Sequence, residues 1–142
     1  MSLQQQLLED MKQAMRDRAT LQLDTIRMLR AKIKNEEIDQ GPLSDEQVEK
    51  LVSQTIKQWQ DAIGDYKKGN RDDLVQEAVQ KIEVLQKYMP QQMSDEQLLE
   101  IITQVRQETG LDQVGPIIGK VKQKVGNQAD GQRIATLVNQ QI

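Results

Sequence analysis

The chain has no cysteine, no histidine and no phenylalanine, and aromatic residues make up only 2% of its 142 positions. Each absence closes off some chemistry. Without Cys there are no disulfides, which fits a reducing compartment, and a cytoplasmic location is expected. Without Cys and His together there is no ordinary zinc site, no thiol nucleophile and no imidazole base. Asp, Glu, Lys, Tyr and Ser remain as candidate catalysts, so an enzyme is disfavoured rather than excluded. No Gly-rich loop runs into Lys-Ser or Lys-Thr, which removes the usual ATP phosphate loop. The glycines that do cluster, at 115–131, lack the preceding strand that a dinucleotide fold requires. No apolar run approaches the roughly 20 residues of a membrane-spanning helix. The opening "MSLQQQLLEDMKQAMRDR" mixes Gln with both charges, unlike a signal peptide. The expectation is no cofactor, no metal and no membrane.

What is present is helical. Hydrophobic residues, at 37%, must build the core from Leu, Ile, Val, Met and Ala, and their spacing follows a period near 3.6 almost throughout. A first helix is expected over about 2–18, with Leu3, Leu7, Met11, Ala14 and Met15 on one face. A second, near 20–38, buries Ile26, Leu29 and Ile33. "PLSDEQV" starts a third, with Ser44 as N-cap, Gln47 closing a capping box, and Leu43 stapled to Val48. Its face runs through Val52, Ile56, Trp59, Ile63 and Tyr66 until Gly69 stops it. A fourth, about 71–88, presents Leu74, Ala78, Ile82 and Leu85, with Asp72 and Asp73 serving its start rather than a metal. The cassette then returns as "MSDEQL", with Ser94, Gln97, Met93 and Leu98 in the same roles. That fifth helix reaches Gly110. A sixth lies within 116–125, with Pro116 first, and a seventh follows Asp130. The expected fold is all-α: an N-terminal four-helix unit, residues 1–90, and a C-terminal three-helix bundle, residues 91–142, joined through "YMPQQMS".

Charge is unevenly placed. Net charge is −3, against a generic nucleic-acid binder. Residues 10–35 nevertheless hold seven basic residues to three acidic, and 113–142 hold four to one, so any phosphate contact belongs there. In "TIRMLRAKIKNEEID", residues 25–39, a turn of about 100° per residue gathers Arg27, Arg30 and Lys34 within roughly 60°. The stripe could grip phosphates, although a solvated helix face explains it as well. Asn35 and Glu36 sit on other faces, within reach of a neighbouring helix. In "GPIIGKVKQKVGNQADG", residues 115–131, Ile117, Ile118, Val121 and Val125 mark a buried arc, with Gly115, Gly119 and Gly126 opposite. Gly in a helix interior costs about 0.5–1 kcal/mol relative to Ala. Gly119 therefore implies either close approach by a helix or ligand, or simple tolerance. Lys120, Lys122 and Lys124 flank the glycines, and Arg133 opens the next helix. A smooth, lysine-edged face would admit a phosphate backbone, but no aromatics interleave for base stacking.

Four blocks, "TIRMLRAKIKNEEID", "GNRDDLV", "EVLQKYMPQQMSDEQL" and "GPIIGKVKQKVGNQADG", occur in the order and spacing of the GatB/YqeY family. The chain resembles its stand-alone YqeY-like members over nearly its whole length. The family in turn is similar to the tail of the B subunit of tRNA-dependent amidotransferase, which converts misacylated tRNA with glutamine as nitrogen donor. The resemblance implies a two-part helical fold and tRNA binding, or an accessory role beside such an amidotransferase or a tRNA synthetase. It also implies the family label of carbon–nitrogen ligase activity with glutamine as amido donor, without catalysis by this chain alone. Family members often carry Gly-Lys where this chain has Gly115-Pro116. Lys120, Lys122, Lys124 and Arg133 are therefore expected to supply the phosphate contacts, with Gly115 and Gly119 permitting approach and Arg27, Arg30 and Lys34 forming a second patch. The alternative is a helical protein–protein adaptor, with an apolar groove between its two units.

Overall fold

The structure, a computed structural model, describes residues 1–141. The fold is all-α, and no strand occurs among the described residues. Among the described residues seven α-helices follow one another: α1 (Leu3–Arg16), α2 (Thr20–Gln40), α3 (Asp45–Lys68), α4 (Asp72–Gln86), α5 (Asp95–Thr109), α6 (Val114–Val125) and α7 (Gly131–Gln141). A short 3₁₀ turn, Gly126–Gln128, links α6 to α7. The chain divides into two units between Met89 and Pro90. The first holds α1–α4 and the second holds α5–α7.

Local sequence explains where most helices begin. Ser2, Ser44 and Ser94 are N-caps, each with a hydroxyl accepting from the backbone N–H three residues on. Gln5, Gln47 and Gln97 return the bond to the cap's own N–H, so each start is a complete capping box. Two of four otherwise orphaned donors are thereby satisfied at each start. Ends differ in detail from the sequence expectation. Gly69 follows α3 with φ −88°, and Asn70 takes the left-handed conformation at φ 56°. Asn tolerates that region through its short polar side chain. Gly110 ends α5 at φ 68°, where a β-carbon would be strained. Helix α6 begins two residues before Pro116. Proline is tolerated there because first-turn N–H groups have no helical acceptor anyway.

In the first unit, Leu7, Ile26, Leu29, Ile33, Val48, Val52 and Leu85 pack into one core. Met15, expected on this face, is 51% exposed. It lies about 100° from buried Ala14 on the last turn of α1, beyond the covered arc. Trp59 and Tyr66 are half-buried rather than central. The Lys81 ammonium sits 4.2 Å from the centroid of the Trp59 ring, while its stem covers apolar surface. The largest fully buried side chain is Tyr88, just beyond α4. It continues the α4 face of Ala78, Ile82 and Leu85 by one further step. Its hydroxyl donates to Asp10 Oδ2 at 2.6 Å, tying the end of α4 to α1. Burial, then the hydrogen bond and charge of Asp10, hold the phenol well above its ordinary pKa.

The second unit buries Leu98, Ile102 and Val105 of α5, Ile117, Val121 and Val125 of α6, and Ile134, Leu137 and Val138 of α7. Ala129, in the α6–α7 connection, is fully buried among them. The entering strand of chain is pinned as well. Met93 N–H donates to the Gln128 carbonyl at 2.9 Å, and the Gln92 amide donates to the Asn127 carbonyl at 3.0 Å.

Candidate functional site

Helix α6 is amphipathic in an unusual way. Ile117, Val121 and Val125, spaced by four, face the core, and half-buried Ile118 flanks them. Gly115 and Gly119 are exposed on the opposite side, and a β-carbon added at either would meet nothing within 4 Å. Close packing by another described helix of this chain therefore does not account for Gly119. Gly126 has a separate duty. It leaves the helix at φ 56°, a turn position that disfavours side chains, so it does not extend the glycine face.

The cations around this face have different commitments. Lys120 is exposed and makes no hydrogen bond or ion pair among the described residues. Lys124 forms an ion pair with Glu108 of α5 at 3.0 Å, with both side chains substantially exposed. Such surface pairs contribute about 0–1 kcal/mol and exchange readily. Lys122 is half-buried, and its Nζ donates to the carbonyls of Gly126, at 2.9 Å, and Ala129, at 2.8 Å. It thus caps acceptors beyond the C-terminal end of α6, where cations also favour the helix dipole. Arg133 donates to the Met93 carbonyl at 2.8 Å and to Asp95 Oδ1 at 2.7 Å. Lys122 and Arg133 hold their own unit together. Lys120, and Lys124 at small cost, are available to a ligand.

The stripe on α2 also splits. Arg27 and Lys34 are exposed without partners among the described residues. Arg30 is half-buried, and its Nη1 donates to the thioether sulfur of Met11 on α1 at 3.1 Å. The α2 carboxylate that bonds other segments is Glu37, which accepts from Leu43 N–H at 3.1 Å and the Gln4 amide at 3.3 Å. Glu36 accepts instead from Gln40 of its own helix. Lys32, not singled out by sequence, bridges to α3 by donating to the side-chain amide oxygen Oε1 of Gln58 at 2.8 Å.

No set of three carboxylates that could hold a metal ion occurs among the described residues, and none of their helices is long and apolar enough to cross a membrane. Tyr88, with the largest pKa displacement, lies in the core bonded to Asp10. Asp73, exposed at the start of α4, is held below the ordinary carboxylate range by a two-pronged bond from Arg71.

The described residues thus form two small all-helical units that carry cations on their helix surfaces. The chain belongs to the Yqey-like protein family, whose profile matches residues 4–142. It is similar to "Altered inheritance of mitochondria protein 41, mitochondrial" from three yeasts. The Clavispora lusitaniae protein is 27% identical over 120 residues, 83% of this chain and 71% of that protein. The Lachancea thermotolerans protein is 41% identical over 87 residues, 60% of this chain and 46% of its own length. The Kluyveromyces lactis protein is 28% identical over 129 residues, covering 83% and 68%. These names overturn the expected cytoplasmic location, since the relatives are mitochondrial proteins. A chain without Cys records only that it forms no disulfides, and that does not separate one compartment from another.

Proposed function

We propose that this chain is a non-catalytic accessory module that contacts tRNA through the exposed side of α6, alongside a tRNA-dependent amidotransferase or a tRNA synthetase. Its setting follows its relatives and is mitochondrial. The observation carrying the reading is that Gly115 and Gly119 lie open, with uncommitted Lys120 beside them. A phosphate backbone could approach the helix closely there, with Lys120 and Lys124 as its cations and Gly115 and Gly119 leaving the space. Lys122 and Arg133 shape this surface rather than touch the ligand. Arg27 and Lys34 on α2 offer a second contact. The carbon–nitrogen ligase label describes the larger enzyme whose tail the family resembles, and this chain supplies no amide transfer of its own.

The test is titration with deacylated and misacylated tRNA at two salt concentrations, for the natural chain and a Lys120→Glu, Lys124→Glu variant. Two phosphate contacts predict roughly tenfold weaker binding between about 50 and 200 mM salt. The double variant should lose most of the affinity while keeping its helical content. Absence of saturable binding at both salts would eliminate the RNA reading. The same open face would then favour a protein partner, because side-chain-free helix surfaces also admit another helix closely.

A further inference from the structure

Helices α1 and α2 enclose a groove of about 250 Å³ on the first unit. Two side-chain bridges mark its ends: Gln4 to Glu37 at 3.3 Å, and Arg30 to Met11 at 3.1 Å. Arg30 and Glu37 are seven residues apart on α2, so the ends are separated by roughly 10 Å. Between them the groove is lined by half-buried Leu8 and by the buried Leu7 and Ile33, which makes the middle apolar. Lys34, exposed and without a partner among the described residues, lines the same groove.

The charges at the two ends differ in how well they are satisfied. The Glu37 carboxylate already accepts from an amide side chain and a backbone N–H. Arg30 carries a guanidinium with five N–H donors, and its one hydrogen bond among the described residues goes to a thioether. Sulfur of that kind is a weak acceptor, and a guanidinium prefers a planar carboxylate. The groove thus pairs an underused cation with an apolar channel too small for a drug-sized ligand. We infer that it binds a small aliphatic monocarboxylate, with the carboxylate on Arg30 and Lys34 and the chain along Leu8. The occupant's carboxylate lies toward the Arg30 end, away from Glu37, whose own charge already accepts two hydrogen bonds. The inference does not rest on the RNA reading, although Lys34 is also one of the two α2 cations offered there as a second contact.

Hexanoate is the probe, followed by amide chemical shifts of the whole chain, with hexanol, acetate and inorganic phosphate in parallel. Saturable shifts centred on Leu8, Ile33 and Lys34 are expected, with a dissociation constant in the low millimolar range for so small a ligand. Arg30→Gln should weaken hexanoate about tenfold, the loss typical of a charge-assisted hydrogen bond. Lys34→Gln, at an exposed site that leaves the fold intact, should weaken it by about threefold from lost charge attraction. The proposal fails if hexanol binds as well as hexanoate, because the cations then read nothing. Acetate or phosphate matching hexanoate would equally sink it, since the apolar channel would then be idle. So would shifts that never saturate.

Discussion

The segments Leu43–Val48 and Met93–Leu98 start one helix in each unit, and their caps are built identically. In both, a serine hydroxyl and a glutamine amide complete a capping box. In both, the residue before the cap packs on the same core as the residue after the box, Leu43 with Val48 and Met93 with Leu98. The aspartate after the serine is where they part. Asp45 accepts from the backbone N–H of Leu3 at 3.1 Å, holding the start of α1. Asp95 accepts from the Arg133 guanidinium at 2.7 Å, holding the start of α7. Identical local sequence fixes identical local geometry, but the use made of an exposed carboxylate depends on what the rest of the chain delivers to it.

The comparison can be broken most severely in the core. Leu98→Ala removes a fully buried staple residue of the second unit and should cost about 2–5 kcal/mol. Trp59, the single tryptophan, belongs to the first unit and reports it separately. In urea, far-ultraviolet circular dichroism should show an earlier transition for the variant. Tryptophan fluorescence should stay in place, and a fluorescence midpoint that moves equally would show the units to be one cooperative block.

Tyr88→Phe makes the complementary change in the first unit. It removes a hydrogen bond to a carboxylate, so a loss of about 1.5–3 kcal/mol is expected in the fluorescence-detected transition. Burial of the phenol, reinforced by that bond, makes the natural protein alkali-sensitive. Folding raises the phenol's pKa, so its stabilisation is complete below the unfolded value near 10 and is lost as pH climbs beyond it. The Phe variant should lack that part of the decline.

Paired cap variants sharpen the comparison directly. Ser44→Ala and Ser94→Ala should each cost about 1 kcal/mol, the first read by fluorescence and the second by circular dichroism. A markedly unequal pair would mean that the caps differ in ways their matching bonds do not reveal. Gly119→Ala has the smallest expected effect and the opposite sign. With open space around the new methyl group, it should raise stability by about 0.5–1 kcal/mol. If the same variant weakens tRNA binding, the glycine was kept for contact and not for folding.

The starts of α3 and α5, the apolar faces of α2 and α5–α7, and the buried arc of α6 were legible because capping and a 3.6-residue period are local properties. Tyr88 was legible in principle, lying three residues after Leu85, but "YMPQQMS" reads first as a joint between helices. Met15 was misplaced because the width of a buried face depends on its neighbours' reach. The nine candidate residues could be picked out as chemical types, but their hydrogen-bond commitments could not. Lys122 and Lys124 stand two apart, yet one faces the carbonyls of the connection between α6 and α7 and the other a carboxylate on α5. A lone lysine carries no record of this, since the acceptors for Lys124, Arg133 and Arg30 lie 16, 40 and 38, and 19 residues away in sequence. By itself, then, the sequence determined a cysteine-free all-helical chain, its capping boxes and its family. Only tertiary structure decided which cations are free, that the glycine face is open, and that α1 and α2 leave a groove. Those properties arise from contacts between distant segments, and no local pattern encodes them.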